Sequence, residues 1–148
     1  MDVWKPRVTV AAIAQRGDKY LMVEETIRGK LWLNQPAGHL ESGESLIDAC
    51  KREVLEESGW RCEPTSMVGV WQWRANNGRQ FLRFTFAVEL LEELENHPLD
   101  DGIEQTLWLS SQEIAAERHR LRSPIIEASL ARMAEDRNVP LDIVECLL

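Results

Sequence analysis

The sequence predicts an α+β fold built as one domain, and three observations lead to this prediction. The chain has 148 residues, a length that fits a single domain with its own buried core. Its predicted elements follow the order strands, helix, strands, helices, which differs from the regular alternation of βαβ units. The composition, 44% hydrophobic and 28% charged, is typical of a globular chain. We therefore expect residues 1–148 to form one mixed, layered domain.

Two apolar stretches near the N-terminus predict a β-hairpin. Residues 7–14 are rich in small and β-branched side chains, and Tyr20–Glu24 is a second apolar run beyond a short turn. Leu31–Leu33 predicts a further short strand. Residues 36–45 contain one proline and two glycines, so we expect a loop there.

A helix is predicted from Ser45 to Gly59. Ser45 followed by Asp48 is typical of a capping box, and Gly59 suits the position just after the helix C-terminus. The elements beyond this helix are two strands around a turn at residues 76–78, a third strand and two helices. Their predicted ranges are Met67–Trp73 and Phe81–Leu90 for the paired strands, Thr106–Leu109 for the third, and helices starting at Ser110 and spanning Pro124–Ala134.

Charge and cysteine content argue against several classes of function. The net charge of -8 disfavours broad electrostatic binding to nucleic acid, which needs a basic surface. No apolar run approaches the roughly 18 residues that span a bilayer, and Met1–Thr9 lacks the apolar core of a signal peptide. We therefore expect a cytoplasmic protein without a membrane partner. The three cysteines, which form no C-x-x-C pair, are expected to be small buried hydrophobic residues: Cys50, Cys62 and Cys146.

The predicted helix is apolar along one face only over its first half. The apolar stripe consists of Leu46, Ala49 and Cys50. The residues that continue this line are all acidic: Glu53, Glu56 and Glu57. Like charges at these spacings destabilise a helix by roughly 0.2–0.5 kcal/mol per pair, and partial burial strengthens the repulsion. The pattern favours a hard divalent cation held by these carboxylates, and a solvated acidic face is the alternative.

The acidic helix is part of a longer motif. The chain reads G-H-L-E-S-G-E over residues 38–44 and R-E-V-L-E-E-S-G-W over residues 52–60. Every specified position of the pattern G-x5-E-x7-R-E-U-x-E-E-x-G-U is present, where U is a bulky apolar residue. This pattern is the Nudix box, and the chain therefore resembles the Nudix hydrolase family.

The resemblance extends over nearly the whole chain. The segments 34–41, 81–84 and 121–124 (N-Q-P-A-G-H-L-E, F-L-R-F and L-R-S-P) are similar to the NudJ subfamily. Many Nudix proteins have Pro-Gly-Gly before the box, whereas Ala37 replaces the middle residue here, as is typical of the NudJ-like branch. The resemblance implies an α/β/α sandwich around a mixed β-sheet. It also implies metal-dependent attack of water on a diphosphate, with hydroxymethylpyrimidine pyrophosphate, thiamine pyrophosphate and nucleoside di- or triphosphates as substrates.

The resemblance assigns roles within the box. The implied metal ligands are the carboxylates of Glu53, Glu56 and Glu57 and the main-chain carbonyl of Gly38. The implied ion is Mg²⁺, with Mn²⁺ as an alternative, and it would polarise phosphoryl oxygens and lower the pKa of a bound water. Arg52 is expected to hold a box carboxylate in place.

Two further box residues are expected to be structural, and the residues outside the box are less constrained. Glu44 would tie the loop to the helix start, and Gly59 would end the helix. Glu104 is our choice for the catalytic base, although the acidic stretch 100–104 is equally consistent with a solvated loop and a box glutamate could serve instead.

Substrate contacts are predicted from side-chain chemistry. Arg83 and Arg122 are each candidates for bidentate binding of phosphate, and structural ion pairing is the alternative for both. Either Trp71 or Trp73, on one face of a strand, could stack on a pyrimidine ring, and burial in the core is the alternative. His39 lies in the box loop, but the motif does not require it for catalysis.

Other functions compatible with the same motif are weaker. A Nudix-fold binding module without catalysis usually lacks part of the segment 52–57, which is complete here. Isoprenoid diphosphate isomerisation would need an additional acid–base pair, and RNA 5′-end processing conflicts with the net charge of -8. We therefore expect a small di- or triphosphate as the partner, and no nucleic acid. Both a monomer and a homodimer remain open.

Overall fold

The computed structural model describes residues 1–148 and contains nine strands and three α-helices. The strands are β1 Arg7–Ile13, β2 Gln15–Arg16, β3 Lys19–Ile27, β4 Lys30–Asn34, β5 Ala37–His39, β6 Trp60–Arg74, β7 Gln80–Glu93, β8 Ile103–Ser110 and β9 Val139–Pro140. The helices are α1 Leu46–Ser58, α2 Ser111–Ala116 and α3 Ile125–Ala134. None of the helices has the length and hydropathy that are needed to cross a membrane.

The strands form two sheets that enclose the core between helical layers. The first sheet has the order β5-β1-β7-β6-β9, with β1 and β7 parallel and its other pairs antiparallel. In the second sheet, β3 pairs with β4, with β8 and with the short strand β2, and all of these pairs are antiparallel. Helix α1 packs on one apolar cluster, through Ala49 and Val54, while α2 and α3 pack on a second cluster, through Ile114 and Ile126. The predicted mixed sheet between helices is therefore confirmed.

The predicted N-terminal hairpin is wrong. Strand β1 pairs with β5 and β7, whereas β3 belongs to the other sheet, and only the two-residue β2 pairs with β3. The physical reason is burial: residues 10–13 are at most 2% exposed, so both edges and both faces of β1 need protein partners. The predicted loop at residues 36–45 also contains a strand, because β5 supplies one of those partners, with Thr9 opposite His39.

The caps of α1 show how the helix is fixed. The Ser45 hydroxyl accepts a hydrogen bond from the Asp48 N–H at 3.0 Å, and Gly59 ends the helix at φ 76°. The reciprocal bond of the predicted capping box is missing at Asp48, whose side chain is one methylene shorter than glutamate. Helix α2 has the complete box, in which Glu113 and Ser110 each bind the other's backbone N–H.

Two of the three cysteines are buried as predicted. Cys50 and Cys62 lie in the α1 cluster, but Cys146 is exposed, so the prediction is wrong for this residue. Its segment follows the last element of the fold and has no strand or helix to cover it.

Candidate active site

The acidic half of α1 faces the interior of the molecule. Glu53 and Glu57 are 7% and 8% exposed, whereas the Glu56 side chain is 36% exposed. The apolar first half of the helix buries the same face, so the stripe carries two carboxylates into the protein. Burial raises the pKa of Glu53, and it raises the pKa of Glu57 to about 9. Neighbouring carboxylates add to both shifts, so a cation at this position would relieve a real electrostatic cost.

Strand β5 lies directly against these carboxylates. A Cβ atom on Gly38 would sit 2.1 Å from the Glu53 carboxyl carbon, so only glycine permits this approach. The Ala37 N–H donates to Glu57 Oε1 at 2.8 Å. Because β5 is also paired with β1, the backbone of Gly38 is held beside the acidic face by the sheet itself.

Arg52 holds the rotamers of several box carboxylates. Its Nη1 donates to Glu53 Oε1 at 2.7 Å and to Glu56 Oε2 at 3.0 Å. Its Nε and Nη2 donate to the Glu44 carboxylate at 2.6 and 3.1 Å, and Nη2 also donates to the His39 carbonyl. The Arg52 guanidinium lowers the pKa of Glu44. The arginine therefore ties the loop before α1 to the acidic face of the helix.

Asp100, which was not among the predicted site residues, joins the acidic face. Carboxylate oxygens of Glu53, Glu56 and Asp100 lie within 4.8 Å of one another. The Asp100 N–H donates to the Glu56 main-chain carbonyl at 2.9 Å, which anchors the loop before β8 to α1. Three converging carboxylates are a donor set suited to a hard divalent cation. The acidic face of α1 and the loop before β8 therefore fit an ion such as Mg²⁺.

Glu104 lies apart from this cluster. Its side chain is exposed on β8 and accepts a hydrogen bond from the Thr26 hydroxyl at 2.9 Å. It does not line the cavity described next. The acid that joins Glu53 and Glu56 lies in the same stretch, residues 100–104, but nothing in the local sequence pattern distinguished Asp100 from Glu104.

A cavity of about 260 Å³ opens beside the acidic face. Gly38, His39 and Glu57 form the end next to the box. The rest of its wall is formed by polar and aromatic side chains from both sheets and the start of α3, among them Glu25, Asn34, Trp73, Phe81, Arg83 and Arg122. The two sheets therefore leave a half-enclosed space that begins at the carboxylates.

Arg83 is a buried cation without a carboxylate partner. It is 7% exposed, and its Nη2 donates to Gln35 Oε1 at 2.8 Å and to Asn34 Oδ1 at 3.5 Å. Its Nε has no hydrogen-bond partner. Burial lowers the pKa of Arg83 to about 10, and the Glu57 carboxylate opposes this shift. Gln35 in turn donates to the Ser129 hydroxyl of α3 at 2.9 Å.

Of the other residues that were predicted to contact the substrate, Arg122 and Trp73 line the cavity, whereas Trp71 packs in the core. Arg122 lines the cavity with its guanidinium 5.4 Å from the centre of the Trp32 ring, and it forms no ion pair. Trp73 also lines the cavity and stacks on Phe81 with ring centroids 5.5 Å apart. Trp71 packs against the second apolar cluster instead. Of the two tryptophans, only Trp73 is thus available to a ligand in this cavity.

Comparisons with known proteins agree with this architecture. A model of the NUDIX domain matches residues 5–129. The phosphatase NudJ of Escherichia coli K12 is 40% identical over 142 residues, which cover 96% of this chain and 92% of that protein. A NUDIX hydrolase from Nitrosomonas europaea superposes with a TM-score of 0.93 at 44% identity, over 96% of this chain and 97% of that one. The solution structure of the E. coli ORF135 protein superposes with a TM-score of 0.69 at 26% identity, over 88% of this chain and 90% of that one. The chain therefore belongs to the Nudix hydrolase family.

Proposed function

We propose that this Nudix hydrolase is a divalent-metal-dependent pyrophosphohydrolase of small metabolites. Its proposed substrates are hydroxymethylpyrimidine pyrophosphate, thiamine pyrophosphate and nucleoside di- and triphosphates. One observation carries the proposal: Glu57 and Gly38, which lie beside the cluster of three carboxylates, line a cavity that also holds a buried arginine without an acidic partner. A polyanion bound through cations at one end and through this arginine at the other would satisfy both groups.

The proposed metal site uses residues of α1, β5 and the loop before β8. We assign the carboxylates of Glu53, Glu56, Glu57 and Asp100 and the main-chain carbonyl of Gly38 as its ligands. Bound Mg²⁺ or Mn²⁺ would supply polarisation of phosphoryl oxygens and a water of lowered pKa. Arg52 would keep the carboxylates in their binding rotamers through the hydrogen bonds described above.

The arginines of the cavity are proposed to bind the phosphate chain. The Arg83 side chain lines the cavity, forms no ion pair and is fixed in position by Gln35, so its guanidinium can donate to a phosphoryl oxygen without first breaking an ion pair. Arg122 is proposed as a second donor near the cavity mouth. Glu104 stays our prediction for the base from the family resemblance. Asp100 is its competitor, because its carboxylate is the one that lies with Glu53 and Glu56.

The test is a product-resolved screen. Wild-type protein is assayed for phosphate release on a panel of di- and triphosphates with Mg²⁺ or Mn²⁺, and products are identified by mass spectrometry. We expect cleavage of pyrophosphate linkages that stops on chelation and returns when metal is restored. Glu56→Gln should lose about 10²-fold or more in rate, while the matched control Glu135→Gln, at an exposed surface site, should retain it. Turnover that survives exhaustive chelation would refute the proposal, as would an unaffected Glu56→Gln enzyme.

A further inference from the structure

The far wall of the cavity is aromatic. Trp73 and Phe81 stack with an interplanar angle of 27° and together line the space that begins at Gly38 and Glu57. Flat rings pack favourably on such faces, and proteins that bind single bases stack them on aromatic side chains in this way. A substrate with its phosphates at the carboxylate end could therefore place a planar group on this wall.

Asn34 presents a hydrogen-bond donor to the same space. Its Oδ1 accepts from the Gln35 N–H at 2.9 Å and from Arg83 Nη2 at 3.5 Å. Both neighbours can only donate, so the reversed amide would set its own N–H groups against them. The amide orientation is thereby fixed by the network. Asn34 Nδ2 has no protein partner and belongs to a side chain that lines the cavity.

Glu25 presents an acceptor on the same face of the sheet. Asn34 lies opposite Val23 in the β3–β4 register, and Glu25, two residues along β3, is its diagonal neighbour. Such diagonal pairs are about 7–8 Å apart, within reach of one small ring for side chains of this length. Glu25 lines the cavity, and its carboxylate forms no hydrogen bond or ion pair. Burial raises the pKa of Glu25, and Arg122 opposes this shift.

These two groups are available to a ligand. Both side chains are partly buried and line the cavity, and neither the Asn34 N–H group nor the Glu25 carboxylate has a protein partner, so each can exchange solvent for a matching ligand group. Asn34 offers N–H and Glu25 offers oxygen, so the complementary ligand edge has an acceptor next to an N–H donor. That edge occurs on nitrogen heterocycles such as aminopyrimidines and the nucleic-acid bases. Sugar hydroxyls can also donate and accept, but a sugar lacks the flat face that packs on Trp73 and Phe81, and inorganic polyphosphates have neither feature.

We propose that Asn34 and Glu25 are specificity residues, which select diphosphates carrying a planar nitrogen heterocycle with adjacent donor and acceptor atoms. The ring packs on Trp73 and Phe81, Asn34 Nδ2 donates to the ring acceptor, and the Glu25 carboxylate accepts from the N–H group. This inference rests on the proposed function for the cleavage reaction itself.

The decisive variant is Asn34→Asp. It keeps an oxygen for the Gln35 and Arg83 donors and replaces the cavity-facing N–H group with an acceptor. The readout is kcat/KM for CTP divided by kcat/KM for inorganic triphosphate, which has the same phosphate chain and no ring. Repulsion between the new carboxylate and the phosphates weakens inorganic triphosphate at least as much as CTP, because inorganic triphosphate carries the greater negative charge, so charge alone would not lower this ratio. We expect the ratio to fall about tenfold or more, the value of one lost hydrogen bond and one mismatched pair.

Two further variants keep the test sharp. Glu25→Leu keeps a side chain of similar bulk, removes both acceptor oxygens and should also lower the ratio, which decides the question if Asn34→Asp does not fold by circular dichroism. Asn96→Asp adds the same charge at an exposed loop position and should leave the ratio unchanged. A ratio within threefold of wild type in folded Asn34→Asp and Glu25→Leu would overturn the proposal.

Binding without turnover separates this inference from the proposed function. If wild-type protein cleaves no compound of the di- and triphosphate panel, the proposed function fails, and the ring site is tested by tryptophan fluorescence with α,β-methylene-CDP. Binding about tenfold tighter to wild type than to Asn34→Asp supports ring selection. Equal binding to both proteins overturns it.

Discussion

Replacing Gly38 with alanine should disable the proposed metal site without unfolding the protein. The added Cβ would lie 2.1 Å from the Glu53 carboxyl carbon, where ordinary contact begins at 3.4 Å. The carboxylate must therefore retreat by about 1.3 Å, because β5 cannot move away while it is paired with β1. Misplacing a reacting group by about 1 Å costs about 10²-fold in rate. Gly38 does not have a positive φ, so alanine adds no backbone strain.

The assay combines kinetics with direct metal binding. Steady-state turnover of a di- or triphosphate should fall about 10²-fold, and Mn²⁺ titration followed by electron paramagnetic resonance should show weaker binding. In a Glu53→Gln background the same Gly38→Ala change should cost less than about threefold, since both act on one carboxylate. Additive losses in the double variant, or normal Mn²⁺ affinity in Gly38→Ala, would refute the steric argument.

Three further outcomes follow from the site and its surroundings. Arg83→Gln should lower kcat/KM about 10²-fold, while the free energy of unfolding from urea titration should fall by no more than about 1 kcal/mol, because a buried charge without an acidic partner stabilises the fold little. Asp100→Asn should weaken Mn²⁺ binding, whereas Glu104→Gln should leave the Mn²⁺ affinity unchanged. If Glu104 is the base, Glu104→Gln should still lower kcat by about 10²–10⁴-fold. Arg16→Gln should reduce the free energy of unfolding by about 1–2 kcal/mol with unchanged kinetics, because the Arg16 guanidinium lies 4.8 Å from the centres of two tryptophan rings.

Features fixed by short-range spacing were predictable from the sequence. The acidic stripe of α1, the Ser45 cap and the Gly59 terminus depend on residues within one helix, and the structure contains all three. The element order predicted an α+β or mixed layered fold, and the mixed sheet between helices followed from the family resemblance. The family comparison then confirmed the resemblance carried by the box.

Features that depend on distant chain segments were not predictable in the same way. The N-terminal hairpin fails because β1 finds partners far along the chain, in β5 and β7. Asp100 reaches Glu53 and Glu56 only through the folding of the loop before β8 onto α1. The different surroundings of Trp71 and Trp73 have the same origin, since alternation places both on one face but says nothing of what covers each.

The bond between Gln35 and Ser129 has a consequence for how this enzyme could change its specificity over time. Gln35 positions Arg83 in the cavity and is itself held by Ser129 Oγ, which donates in turn to the Ile126 carbonyl of α3. The orientation of Arg83 therefore depends on α3, a helix that lies outside the Nudix box. We expect Ser129 and Gln35 to covary among relatives, and libraries that seek altered substrate use should randomise this face of α3 together with the cavity wall.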